Sequence, residues 1–159
     1  MRVLFLILCL IPAISYAQDM ADRVLVEKSK KTLSLYRGDK LLSRFHVVFG
    51  ANPVGHKQEE GDERTPEGKY LLDYKKADSA FYKAIHISYP NADDIANANQ
   101  RGVSAGGAIM IHGQRNYFGW ASFATRYFNW TNGCVALSNN DMDALWSAVD
   151  EGTPIEIRQ

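Results

Sequence analysis

Apolar and polar residues alternate with a period of two along most of this chain, in short runs that commit it to a β-rich fold. Val24 and Val26 alternate within Arg23–Lys28, and Leu33 and Leu35 within Thr32–Tyr36. Gly38-Asp39 then supplies a tight hairpin loop into a third strand over Leu41–Phe49. Five more short strands are predicted over Lys69–Tyr74, Ala84–Tyr89, Ile109–His112, Val135–Leu137 and Ile155–Ile157, several set apart by Pro and Gly. Two helices join them. Asn91–Gln100 stops at Arg101-Gly102, and Asn139–Val149 starts at a Ser138 N-cap with Asp141 at the capping-box position. Met142, Leu145, Trp146 and Val149 give the second helix one apolar face. The sum predicts a mainly β domain, a sandwich or barrel-like sheet with one or two packed helices.

The first 17 residues stand apart. Arg2, the apolar run Val3–Ile14 and the small residues of Ser15-Tyr16-Ala17 form the pattern of a cleaved secretory signal peptide. The run is shorter than the roughly 20 residues a membrane span needs, so no span is predicted. Residues 18–159 are then one exported domain, in which Cys134 is the remaining cysteine after Cys9 departs. An unpaired thiol in an exported compartment risks oxidation, which makes Cys134 worth explaining. The 18 basic and 18 acidic residues are spread along the chain, and no basic stripe offers a nucleic acid a footing.

Two linking regions are richer than plain loops. Gly50–Gly68 carries four acidic residues within Glu59–Glu63 and ends in Thr65-Pro66-Glu67-Gly68, which predicts a β-turn. A loop of that length is usually functional or mobile. His56 with Glu59, Glu60 and Asp62 imitates a metal site, but such clusters are usually solvated, and no metal is predicted. Tyr117–Trp130 is half aromatic, which suits a part in the core or the lining of a substrate groove. His46 and His86 sit in alternating strand segments and are read as structural.

The candidate chemistry lies in His112-Gly113 and Thr131-Asn132-Gly133-Cys134. A cysteine attacks as its thiolate, and a nearby imidazole takes the proton and stabilises the anion. That pairing predicts a depressed thiol pKa. The imidazole needs an acceptor on its other nitrogen, and an acyl intermediate needs N–H donors such as those of the Asn132–Cys134 turn. These residues alone leave Cys134 either a nucleophile or a small buried hydrophobe.

Ile-Met-Ile-His-Gly from Ile109, then Thr-Asn-Gly-Cys-Val-Ala-Leu-Ser-Asn up to Asn139, resembles the L,D-transpeptidase (YkuD-domain) family signature of His-Gly, a spacer and Ser/Thr-x-Gly-Cys. Upstream, Thr65-Pro66-Glu67-Gly68-Lys69-Tyr70 is similar to the family's T-P-x-G-x-Y segment. Ser88-Tyr89-Pro90-Asn91 and Gly106-Gly107 resemble a short single-domain subgroup. The resemblance implies a periplasmic or cell-envelope enzyme acting on peptidoglycan stem peptides through a thioester, with no cofactor. It implies Cys134 as nucleophile, His112 as general base, the Gly113 carbonyl as orienting acceptor, and Gly133 with Asn132 at the oxyanion hole. Tyr117, Trp120, Trp130 and Thr131 are the candidate substrate contacts. The product is an L,D cross-link or a protein attached to the wall, with a wall-attached lipoprotein as candidate partner.

Many cross-linking members resembling this chain read Ser-His-Gly-Cys-x-Arg, where it has Asn132 and Ala136. The Cys–His pair is untouched, but a second imidazole and a cation that could hold a substrate carboxylate are gone. Two rivals follow. A hydrolase of the same family would resolve the thioester with water, trimming stems or releasing attached protein. A non-catalytic envelope binding module would have lost Cys134 or His112, and both are present.

Overall fold

The Gly38-Asp39 hairpin forms between β2 (Thr32–Arg37) and β3 (Lys40–His46), and β1 (Arg23–Glu27) pairs with the other side of β2. Gly38 takes φ +54°, the left-handed backbone that so short a loop requires. The computed structural model describes residues 19–159, so the signal peptide expected over residues 1–17 lies outside the described residues.

β8 (Thr153–Arg158) runs parallel to β1 and antiparallel to β4 (Gly68–Ser79). β5 (Tyr82–Ile87), β6 (Met110–His112) and β7 (Val135–Ala136) complete an eight-stranded sheet in the order β3-β2-β1-β8-β4-β5-β6-β7. Along β8, Thr153, Ile155 and Ile157 are buried while Pro154, Glu156 and Arg158 are exposed. That alternation is expected of a sheet with one face against the core.

The sheet curls until its two ends touch. Beyond β3 the chain stays extended, and Val48 exchanges backbone hydrogen bonds of 2.9 and 2.8 Å with Ala136 of β7. Thr131 N–H donates to the Phe49 carbonyl at 3.2 Å, and Ala51 N–H to the Thr131 carbonyl at 3.0 Å. The strand predicted over Leu41–Phe49 therefore leaves β2 at His46 and changes partner. This exchange makes the sheet barrel-like rather than a two-sheet sandwich.

Both helices form where their caps lie. In α1 (Ala92–Gln100), Asn91 and Asp94 complete a capping box with bonds of 3.0 and 2.9 Å. In α3 (Asn139–Ala148), Ser138 Oγ accepts from Asp141 N–H at 3.1 Å. Met142, Leu145 and Val149 are fully buried, with Trp146 packed against them at the edge of the core. Leu33, Leu72, Ile85 and Ile111 fill the same core, each such side chain contributing about 1.5–3 kcal/mol by burial. A single helical turn, α2 (Ser122–Thr125), follows a 3-10 turn at Gly119–Ala121; neither is predicted by the sequence pattern.

Two expectations are overturned. Thr65-Pro66-Glu67-Gly68 makes no turn: Gly68 already pairs with Ile157, Thr65 Oγ1 accepts from Gly50 N–H, and Lys28 Nζ donates to the Thr65 carbonyl. These tertiary bonds outweigh the local preference for a turn. The aromatic run, expected to lie partly in the core, is mostly outside it. Tyr117, Phe118, Trp120, Phe123, Tyr127 and Phe128 are all at least half exposed, and Trp130 alone of the seven turns inward.

Candidate active site

β6 ends on His112, which is buried against two aromatic rings, Phe81 with its centroid at 4.7 Å and Trp130 at 5.7 Å. Its Nδ1 lies 2.7 Å from the Gly113 carbonyl. A carbonyl only accepts, so Nδ1 carries the proton and the neutral ring keeps a free lone pair on Nε2. Glycine at 113 leaves room for its neighbours, since a Cβ there would stand 2.7 Å from Asn139 Oδ1 and 3.0 Å from Tyr82 Cβ.

The thiol arrives from the other side of the sheet's closing end. Ile111 pairs with Val135 and His112 with Ala136 in parallel register, which sets Cys134 beside the start of β6. Met110 N–H donates to Sγ at 3.4 Å, and the Ala108 carbonyl lies 3.8 Å from it. The preceding turn is held by Thr131, whose Oγ1 accepts from Gly133 N–H at 3.2 Å and donates to the Cys134 carbonyl at 2.7 Å. The N–H groups of Asn132 and Cys134 have no acceptor among the described residues. Gly133 has φ +121°, and a Cβ on it would meet the Arg64 carbonyl oxygen at 2.6 Å.

His112 and Cys134 line one cavity of about 630 Å³, together with Met110, Trp130, Thr131 and Asn132. Tyr117 and Trp120 do not reach its walls. Phe81, Lys76 and Arg115 do, and the sequence carries no motif for any of them. Lys76 and Phe81 arrive because β4 and β5 pair as far as Ser79 and Tyr82, a hairpin longer than the alternation of Lys69–Tyr74 announces. Arg115 lies beside Asn116, whose N–H donates to the Ala80 carbonyl at 3.0 Å. His46 and His86 stay outside: His46 Nε2 donates to the Arg126 carbonyl at 2.8 Å, while His86 stacks on Tyr74 and bonds Asp73.

The Gly50–Gly68 loop supports the thiol turn from behind. A Cβ on Gly50 would fall 1.9 Å from the Glu63 carbonyl oxygen and 3.0 Å from Gly133 Cα. Two of the loop's titratable side chains are tied down: Lys57 bonds Asp62 at 2.8 Å, and His56 lies between the Glu67 N–H and Asp94 of α1. Among the described residues, no group of three or more His, Cys, Asp or Glu is placed to hold a metal ion.

Burial sets the charge state of the pair. It pushes the Cys134 thiol above the ordinary cysteine range, against weaker opposite pulls from Met110 N–H and the Lys57 charge. It pushes the His112 imidazole down, against the Gly113 carbonyl. Burial thus works against the depressed thiol pKa expected from the sequence and favours a neutral thiol beside a neutral imidazole. Alkylation of Cys134 by iodoacetamide is expected to be slow at pH 7 and to rise only above the ordinary cysteine range. The sign follows because only the thiolate reacts, and an uncharged His112 offers it no ion pair. A rate plateau between about pH 5 and 8 would instead mark a thiolate–imidazolium pair.

The sequence model of the L,D-transpeptidase catalytic domain, YkuD, matches residues 21–157. The chain belongs to this family. Among curated relatives of this L,D-transpeptidase domain, YafK of Escherichia coli (strain K12) is 30% identical over 172 residues, covering 92% of this chain and 62% of YafK. Among solved structures, the helical cell shape determining protein Pgp2 of Campylobacter jejuni superposes with a TM-score of 0.64 at 26% identity. That match covers 91% of this chain and 49% of Pgp2. An L,D-transpeptidase of Mycobacterium smegmatis, 14% identical with a TM-score of 0.56 over 86% of this chain and 58% of its own, shares the fold. This chain thus spans from about half to 62% of the length of these relatives.

Proposed function

We propose that this L,D-transpeptidase domain is a cysteine acyltransferase of the bacterial cell envelope that acts on peptidoglycan stem peptides. The observation that carries the proposal is the shared cavity, in which Cys134 and a His112 with its Nδ1 already committed to Gly113 face the same space. Cys134 Sγ attacks the carbonyl carbon of an L,D peptide link while His112 Nε2 takes the thiol proton. The tetrahedral oxyanion is met by the unpartnered N–H groups of Asn132 and Cys134, and Gly133 lets the backbone approach closely. Collapse breaks the C–N bond, His112 passes its proton to the departing amine, and a thioester remains on Cys134. An acceptor amine then attacks the thioester carbonyl and gives a proton to His112. The C–S bond breaks as the new amide C–N bond is left in place, and His112 returns the proton to sulfur. A neutral resting pair suits this sequence, since the imidazole must be unprotonated when attack begins. Trp130 and Thr131 supply walls for the donor peptide. No helix among the described residues is long and apolar enough to cross a membrane.

Mass spectrometry of tetrapeptide stems incubated with the purified chain tests the proposal, beside a Cys134→Ala control. Joined stems, or stems carrying an added amine, are the expected products. Stems that have only gained water would replace transfer with hydrolysis by the same thioester, and unchanged stems would overturn the substrate assignment.

A further inference from the structure

The active-site cavity carries charge that the thiol–imidazole pair does not use. Its walls include Lys76 and Arg115 and contain no aspartate or glutamate. Both cations are exposed, and neither side chain makes a hydrogen bond or ion pair among the described residues. Three other lysines are each paired with a carboxylate: Lys28 with Glu67, Lys57 with Asp62, Lys83 with Asp143. The contrast is sharpest within β4, where Lys75 turns away from the cavity and its Nζ caps α3 on the Trp146 and Val149 carbonyls at 2.8 and 2.6 Å. Its neighbour Lys76 faces the cavity with nothing to bind. Position 136 adds no cation, because it holds Ala136 and opens onto a separate cavity of about 220 Å³.

Two uncompensated cations on a wall with no acidic side chain focus a positive potential into the cavity. Arginine offers a planar fork that fits a carboxylate in two parallel bonds, and lysine adds a mobile point charge. We propose that Lys76 and Arg115 are specificity residues that read a free carboxylate of the acyl donor, so that an ionised stem is taken in preference to its amidated form. The proposal rests on the assignment of this cavity as the donor site. A stem tetrapeptide offers two such groups, the side-chain carboxylate of its diamino acid and the carboxylate of its terminal D-alanine.

Three synthetic tetrapeptides separate them: one free, one amidated on the diamino-acid side chain, one amidated at the C-terminus. Binding is measured on full-length Cys134→Ala, alone and combined with Arg115→Ala or Lys76→Ala, and KM and kcat on the same variants with the thiol intact. Amidation of the carboxylate that is read is expected to weaken binding about tenfold, as is Arg115→Ala on the free peptide. The two losses should not add, and kcat should change much less than KM. Equal binding of all three peptides, or an Arg115→Ala loss as large on the amidated peptides as on the free one, overturns the proposal. Carboxylate-dependent binding without acylation of Cys134 would uphold it while overturning the proposed chemistry.

Discussion

Cys134→Ala is expected to leave a folded chain with turnover of stem peptides reduced by about 10⁴-fold or more, the scale on which removal of a nucleophile acts. The side chain has two long contacts, the Met110 N–H bond to Sγ at 3.4 Å and the Ala108 carbonyl at 3.8 Å, and it forms part of a cavity wall rather than the packed interior. Removing a thiol from such a wall should lower the unfolding free energy by about 1 kcal/mol at most. The two effects are thus separated by scale. Intact-mass analysis of the wild-type chain mixed with stem peptide should show a covalent acyl adduct that the variant lacks. A variant that keeps a tenth of its activity would end the case for Cys134 as nucleophile.

Gly50→Ala is expected to produce the largest loss of stability from a single added methyl. The Cβ would sit 1.9 Å from the Glu63 carbonyl oxygen, and that obstacle is backbone, which cannot swing aside like a side chain. Overpacking of this kind costs about 3 kcal/mol, or about 10 °C in Tm for a chain of this size. Gly152→Ala is the matched control. Its φ of +89° strains a side chain, but nothing lies within 4 Å of the added carbon. Strain alone should cost about 1 kcal/mol. Thermal unfolding of the two variants side by side decides the matter: equal shifts would mean that the Gly50 contact relaxes without consequence.

The parts of the site that announced themselves in the sequence are those built from local chemistry. His112-Gly113 and Thr131–Cys134 each fit within a few residues, because a turn that offers backbone N–H groups and a histidine held by its neighbour's carbonyl are short-range devices. Strand alternation and the Ser138 cap were legible for the same reason, whereas Asn91, read as the first helical residue, is the N-cap of α1. What stayed hidden depends on distant segments. Phe81 reaches His112 only because the β4–β5 hairpin extends to Ser79 and Tyr82, and no pattern around Ser79-Ala80-Phe81 signals that reach. Composition could not separate Trp130, which faces His112, from Tyr117 and Trp120, which face solvent. The direction in which burial moves the thiol was not legible, because the sequence shows an imidazole nearby but not that His112 is buried and Cys134 partly so.

The join between Val48 and Ala136 has a consequence for the order in which the molecule comes together. The β1–β2–β3 meander and the β4–β5 hairpin are built from contacts between near neighbours in sequence, whereas this join links residues almost ninety positions apart. Contacts of high sequence separation must first overcome a large loop-closure entropy, so they form late. A nascent chain ending at Trp130 already holds His112, Phe81 and Trp130, yet it has neither β7 nor the thiol. The thiol enters with the segment that ties the two ends of the sheet together, and β8, which bridges β1 and β4, follows it in the chain. Closing the sheet and setting Cys134 beside His112 are then a single event, and a chain that has not closed lacks the assembled pair.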